Sequence, residues 1–322
     1  MSARLHRLML VVMLALGAAL VGAASASAFT FTTIDDPNGT TAAMGINSRG
    51  DIVGQFLDNS ACAHLHGFVK RGGTYRTLAD PVAGTTLVVA GGINEEGVIV
   101  GYYSTTSPCV TGGGPVQCPP GCHGFLLRDG RYTTLDAQIP NVTVIATFAL
   151  GINAQGEIVG RYDDSSQQQH GFILRHGVYT SLDFPGASLT NAYGINERGE
   201  IAGYYSRNGA DASCTPCASF VRSSDGATYT PLTVSVADSS PRILARGINS
   251  RGDVVGNYTN SQGNQVAFLL MRGLSLALAA GGSDTIASGI NSDGDIVGNY
   301  VDTRGTSHGF LLTDEHRGDD RH

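Results

Sequence analysis

The sequence has no tryptophan, only 15% charged residues and no surplus of basic ones. Set against 44 glycines, that shortage of charge disfavours a helical protein with solvated faces and suits a turn-rich β protein. The formal net charge of −7 leaves no basic face for a nucleic acid or an anionic membrane, so neither is an expected partner. Beyond residue 28 no apolar run is long enough to span a bilayer. No stretch there keeps a helical period. There is no G-x-S-x-G elbow, no H-E-x-x-H and no phosphate-binding glycine loop, so these enzyme classes find no anchor.

The start of the chain has its own pattern. Arg4, His6 and Arg7 precede an apolar run from Leu8 to Val21, and Ala26-Ser27-Ala28 supplies the small-x-small pattern of a cleavage site. Residues 1–28 therefore read as a secretory signal peptide, with the mature protein secreted or periplasmic and not held in a membrane. Six cysteines follow: Cys62, Cys109, Cys118, Cys122, Cys214 and Cys217. An even count in an exported chain favours disulfides over free thiols. The expected pairs are Cys214 with Cys217, and Cys62 with one of Cys109, Cys118 and Cys122.

One phrase is written six times. GINSRGDIVGQF starts at Gly45, GINEEGVIVGYY at Gly92, GINAQGEIVGRY at Gly151, GINERGEIAGYY at Gly194, GINSRGDVVGNY at Gly247 and GINSDGDIVGNY at Gly289. Each belongs to a longer unit of four short strands, a to d. Strand a ends in A-x-G-I-N. N-x-x-G makes a tight turn, in which Asn bonds its own backbone two residues on and Gly accepts a positive φ. Strand b is the I-V-G-x-Y run, strand c is H-G-F-x-L, and strand d is the Y-T-x-L-D run. The recurrent strand-b glycine weakens a strand, so its presence implies close approach of a backbone or a large ring.

Repeated four-stranded sheets, covered on both faces, predict an all-β six-bladed β-propeller over residues 29–312. The 294 residues after the signal give about 49 per copy, inside the usual blade range. The last copy ends at HGFLL without a strand d, and FTFTTID at the mature N-terminus matches Y-T-T-L-D. That segment is expected to close the ring, and residues 313–322 to form a polar tail. GIN-x-x-G-x-IVG-x-Y with HGF and a TLD-x-PG-like segment resembles the HAF-repeat family of extracellular bacterial proteins. The resemblance covers Phe29 to Leu312 and implies export and repeat architecture. It implies no reaction, substrate or catalytic residue. Copies four and five depart from it, with ASF and VAF in place of HGF.

Four histidines recur in strand c, and counting across the c–d hairpin gives each a partner. His123 faces Asp136, His170 faces Asp183, and His308 faces Asp35 of the closing strand. For His66 the register gives Ala79, with Asp80 next door. These are read as structural cross-strand pairs, because a catalytic dyad is needed once, not four times. The aromatic residues that end strand b, Phe56, Tyr103, Tyr162, Tyr205, Tyr258 and Tyr300, are read as packing between units. The turn at Asn291, Asp293 and Asp295 is too short for a calcium loop and lacks its final Glu. No catalytic residue, metal site or cofactor is assigned. The b–c loops and d–a crossovers vary in length and gather on one face, where function belongs. The expected function is binding of an extracellular ligand, a glycan or a protein, on that face. The alternative is a hydrolase or lyase acting on polysaccharide through the same loops.

Overall fold

The computed structural model describes residues 29–60, 64–106, 121–208, 216–235, 239–278 and 282–314. The signal segment and most of the polar tail lie outside them, as do Cys62, Cys109, Cys118 and Cys214. Every regular element among the described residues is a strand. The N-terminal strand β1 (Phe29–Ile34) is followed by β2 (Gly39–Ile46), β3 (Ile52–Asp58), β4 (Leu65–Arg71) and β5 (Thr74–Thr77). The second unit holds β6 (Leu87–Ile93), β7 (Ile99–Ser104), β8 (Cys122–Arg128) and β9 (Arg131–Leu135). The third holds β10 (Val144–Ile152), β11 (Ile158–Asp164), β12 (Gln169–Arg175) and β13 (Val178–Leu182). The fourth holds β14 (Leu189–Ile195), β15 (Ile201–Ser206), β16 (Ala218–Arg222) and β17 (Tyr229–Pro231). The fifth holds β18 (Ser239–Ile248), β19 (Val254–Asn260), β20 (Gln265–Met271) and β21 (Leu274–Leu278). The chain ends with β22 (Asp284–Ile290), β23 (Ile296–Val301) and β24 (Ser307–Asp314).

Within each unit the strands pair antiparallel in chain order. In the last sheet the order is β1-β24-β23-β22, so the N-terminal strand takes the outer place that the final copy leaves empty. The pairing runs from Phe29 opposite Asp314 to Ile34 opposite Gly309, which carries β24 two residues beyond the expected boundary at Leu312. The first two units, and likewise the third and fourth, are joined by a single parallel bridge, Leu65 to Leu87 and Gln169 to Leu189.

The first strands of successive copies pack on one another. β2 meets β6, β6 meets β10, β10 meets β14, β14 meets β18, β18 meets β22, and β22 meets β2. Glycine permits this approach. A Cβ built on Gly151 would stand 2.6 Å from the Tyr193 carbonyl and 3.3 Å from Gly194 Cα. The strand-b glycine answers to both causes expected of it. At Gly160 a Cβ would lie 1.9 Å from the Phe148 carbonyl oxygen and 2.8 Å from the Phe172 ring. That phenylalanine, from the middle of strand c, is fully buried in all six copies. Units four and five, which lose the histidine of HGF, keep it as Phe220 and Phe268.

The asparagine of each GIN turn is buried and bonds within its own turn, and in five of the six copies its amide also reaches the next turn. In the fourth copy Asn196 Oδ1 accepts from the backbone N–H groups of Arg198 and Glu200, each at 3.0 Å. Its Nδ2 donates to the Asn249 carbonyl of the next turn at 3.0 Å. The same link joins Asn47 to Asn94, Asn94 to Asn153 and Asn153 to Asn196, each at 3.1 Å, and Asn291 back to Asn47 at 3.2 Å. The sequence accounts for the local bond; the bond between turns appears only once the strands are stacked.

Asn196→Ala removes three side-chain bonds within its own turn, two from backbone N–H groups and one to Glu200 Oε2, and one that ties it to the next. At about 1 kcal/mol net per bond, with more where a buried carbonyl loses its donor, the expected loss is about 2–4 kcal/mol in a urea titration. A loss below about 0.5 kcal/mol would show that the ladder does not hold the units together.

Candidate functional site

The strand-c histidines meet carboxylates as cross-strand neighbours. Leu127 lies opposite Tyr132 and Phe125 opposite Thr134, which brings His123 Nδ1 to 2.8 Å from Asp136 Oδ1. His170 Nδ1 is 3.1 Å from both carboxylate oxygens of Asp183, and His308 Nδ1 is 3.0 Å from Asp35 Oδ2. His66 differs. Its partner is neither Ala79 nor Asp80 but Asp58 at the end of strand b, 3.0 Å from His66 Nε2. Asp164 and Asp302 hold the matching place in two other copies, each 3.5 Å from the histidine Nε2. Counting only across the c–d hairpin missed this second carboxylate. The histidine rings also stack on the aromatic residues that end strand b, as Tyr162 does on His170 at 5.0 Å and 17°. Tyr103 meanwhile packs against Val53 and Val69 of the preceding unit. These groups brace the frame four times over and aim at no common point.

Cys122 and Cys217 are buried, and neither is a free thiol. The partners expected for them lie outside the described residues. Next to Cys122 and the His123–Asp136 pair opens a cavity of about 600 Å³, bounded by the crossover from Ala137 to Thr147. It lies on the face of the variable loops. Among the described residues no group of three or more His, Cys, Asp or Glu side chains is placed to hold a metal.

A different constellation lies along the inner strands a and b. In each copy one residue stands between the strand-b glycine and the aromatic that follows it: Gln55, Tyr102, Arg161, Tyr204, Asn257 and Asn299. All six are polar or phenolic, in a strand that is otherwise apolar. A second variable position is created by a β-bulge. In every copy the register slips between the strand-a Ala and the Gly of GIN, as between Ala192 and Gly194 or Ala245 and Gly247. The extra residue is unpaired and turned out of the ladder. It is Met44, Gly91, Leu150, Tyr193, Arg246 or Ser288. Within strands a and b, these two positions per unit are where the copies differ most.

In units two to five these positions meet. Arg161 lies across from Phe148 and sets its guanidinium 4.1 Å above that ring. Tyr102 reaches the same ring edge-on at 5.0 Å. Tyr193 packs against the cluster of Phe148 and Leu150, and its own ring lies 5.8 Å from Tyr204. The Arg246 guanidinium sits 5.0 Å over Tyr193, and its Nε donates to Asn257 Oδ1 at 3.1 Å. Arg242, near the start of β18, completes the set.

The electrostatics of the cluster are one-sided. Burial pushes the Tyr204 phenol up to about 12, with Tyr193 adding to the shift and Arg246, Arg161 and Arg242 opposing it. Tyr102 is raised by burial in the same field. Both are neutral hydroxyls near pH 7, not phenolate nucleophiles. Burial, and then the charge of Arg246, holds Arg242 below the ordinary arginine range. The carboxylate paired with the cluster is Asp163, 3.7 Å from Arg161 Nε, and burial raises its pKa. Three buried polar atoms here have no hydrogen-bond partner: Arg242 Nε, Asn191 Oδ1 and Asp163 Oδ1. Such orphans call for an explanation, and a ligand site is one.

No family model matches the chain, and neither does any curated protein. Among solved structures it is similar to a TolB-like protein from Agrobacterium tumefaciens. That pair shares 14% identity at a TM-score of 0.53, over 86% of this chain and 90% of the other. It is also similar to a sialidase from Trypanosoma rangeli in complex with the inhibitor DANA. There the identity is 12% and the TM-score 0.51, over 87% of this chain and 55% of the sialidase. At such identities the likeness is one of fold alone: an all-β, β-propeller-like fold.

The histidine frame generates a pH prediction. The hydrogen bond that His170 donates to Asp183, working against burial and helped by the charges of Asp183 and Asp164, raises the His170 pKa above 6.5. A raised folded pKa means that the stabilisation is full below the unfolded value and is lost as pH rises through the folded one. Because the pair is part-exposed, His170→Gln is expected to cost at most about 1 kcal/mol at pH 6 and nothing measurable at pH 9. Denaturant titrations at the two pH values check it; an equal loss at both defeats the ion-pair account.

Proposed function

We propose that the chain is a six-bladed β-propeller, closed by its N-terminal strand, that works outside the cytoplasm as a binding protein. Its ligand is held on the variable-loop side by the cluster of Tyr102, Tyr193, Tyr204, Arg161, Arg242 and Arg246. In support of closure, β1 pairs along its whole length with β24, and the order of neighbouring first strands returns from β22 to β2. The signal-like segment and the HAF-repeat resemblance favour export. The Cys214–Cys217 bridge, and one from Cys62 to Cys109, Cys118 or Cys122, belong to the same reading, since an oxidising compartment preserves them.

The observation that carries the binding reading is the cluster itself. It departs from the repeat where the repeat is otherwise strictest, and it leaves polar atoms orphaned. The polysaccharide hydrolase or lyase reading is less well served. Two-carboxylate hydrolysis needs an acid and a second carboxylate flanking one bond. Asp163 is the cluster's one perturbed carboxylate, and the neutral phenols around it are poor bases. Glu197, also raised by burial, belongs to the GIN turn at the other end of its strand.

Screening the mature chain on a glycan array, with an activity screen on the same polymers, tests this function. Retention without product release is expected, and Tyr193→Ala with Tyr204→Ala should weaken it at least tenfold, at about 1.4 kcal/mol per factor of ten. Release of shortened or unsaturated products would transfer the site to the enzyme reading. Closure has its own test. Deleting residues 29–36 exposes the edge of β24 and should cause aggregation on size-exclusion chromatography; a monomer of unchanged Tm refutes it.

A further inference from the structure

The cluster has an unmet charge requirement. The protein as a whole is acidic, at −7, yet three guanidiniums gather around Tyr193 and Tyr204. Arg161 has a carboxylate 3.7 Å away in Asp163. Arg246 spends its Nε on a neutral amide, Asn257 Oδ1. The buried Nε of Arg242 has no acceptor. Burying a cation beside a second cation is costly unless an anion is supplied. At several other arginines the chain supplies one: Arg175 has Glu157 at 2.6 Å, Arg251 has Asp253 at 2.9 Å and Arg198 has Glu200, whereas Arg222 over Tyr229 also lacks one among the described residues. The guanidiniums of Arg242 and Arg246 have no such carboxylate among the described residues.

The surrounding groups restrict what the missing anion belongs to. Tyr102, Tyr193 and Tyr204 are part-buried, and no described protein group hydrogen-bonds their hydroxyls. Phenolic rings beside free hydroxyls suit a ring-shaped molecule with C–H faces and alcohol groups. Guanidinium forks suit planar or tetrahedral oxyanions.

We infer that this cluster is a subsite for an acidic glycan, in which Arg242 and Arg246 take the carboxylate or sulfate of one sugar and the tyrosines take its ring. The inference rests on the binding function proposed above and adds the chemical class of the ligand. Asn191, whose buried Oδ1 has no donor and which lies across from Tyr204, offers an acceptor for a sugar hydroxyl.

The test is calorimetric titration of the mature chain with four probes: an oligogalacturonate, a sulfated oligosaccharide, a neutral oligosaccharide of equal length and a poly-glutamate peptide. An acidic glycan should bind at least tenfold more tightly than the neutral one, and the two acidic arms tell carboxylate from sulfate. Arg242→Gln should weaken that binding tenfold or more. Arg242→Lys should restore only part of it, and Arg76→Gln on the outer strand β5 should change nothing. A Tm of Arg242→Gln within about 2 °C of the parent's excludes misfolding as the cause. Equal affinity for neutral and acidic glycans, still lost in Tyr204→Ala, overturns the charge assignment and leaves the binding site standing. Tighter binding of poly-glutamate than of either acidic glycan overturns the sugar assignment. No binding of any probe overturns the inference, and array retention indifferent to the tyrosines overturns the site beneath it as well.

Discussion

The fold depends on one side chain, the asparagine that ends strand a. Asn196 uses its carbonyl oxygen to close its own turn and its amide nitrogen to hold the next. An aspartate cannot donate the second bond, and a serine is too short to reach both. That double duty explains why the GIN phrase recurs with so little change. The glycine before it follows from the same geometry: turns linked at about 3 Å bring the strands so close that a Cβ at Gly151 would strike the Tyr193 carbonyl. The small Ala149, the bare Gly160 and the buried Phe172 then fill what space is left. Each is a consequence of holding neighbouring turns by a single short amide.

A frame this uniform leaves few places for difference. Loops are one, and the longest of them separate strands b and c. The bulge is the other. Because strand a carries one residue more than strand b can pair, one side chain per unit is released from packing. In three units that freedom is spent on small or flexible residues, Gly91, Ser288 and Met44. In the others it yields Leu150, Tyr193 and Arg246, which lie on neighbouring strands: Leu150 and Tyr193 pack with Phe148, Tyr193 meets the Tyr204 ring, and Arg246 stands over Tyr193. The same irregularity that lets the turns stack thus produces a local cluster on one side.

Much of the frame was legible in the sequence. The four strands, the N-x-x-G turn and the c–d register follow from periodicity and turn chemistry within one unit. The His170–Asp183 contact follows from that register. What stayed hidden needs pairings beyond the c–d hairpin. The asparagine link joins residues 43 to 59 apart in the chain, or 244 apart across the ends. The His66–Asp58 contact needs the b–c pairing, which counting across the c–d hairpin ignores. The tyrosine–arginine cluster was hidden for a further reason. GINAQGEIVGRY reads as pure scaffold when its copies are aligned for likeness, and Arg161 falls at the place where they disagree. A signal was present: in a strand whose other residues are fixed and apolar, that position is polar in all six copies.

The placement of the cluster also links recognition to stability. Tyr102, Arg161, Tyr204 and Arg246 come from four successive units, and their side chains meet only when the inner strands are stacked. In the unfolded chain they are about 40 to 60 residues apart from one copy to the next. A ligand that spans them binds the assembled inner strands and not the unfolded chain, so its binding free energy adds to the stability of the assembly. The neighbouring guanidiniums of Arg246 and Arg242 repel one another, which works against that assembly. The asparagine ladder begins only three residues beyond Tyr193 and Arg246 on the same strands, and its bond from Asn196 to the Asn249 carbonyl holds those two strands together beside the charge.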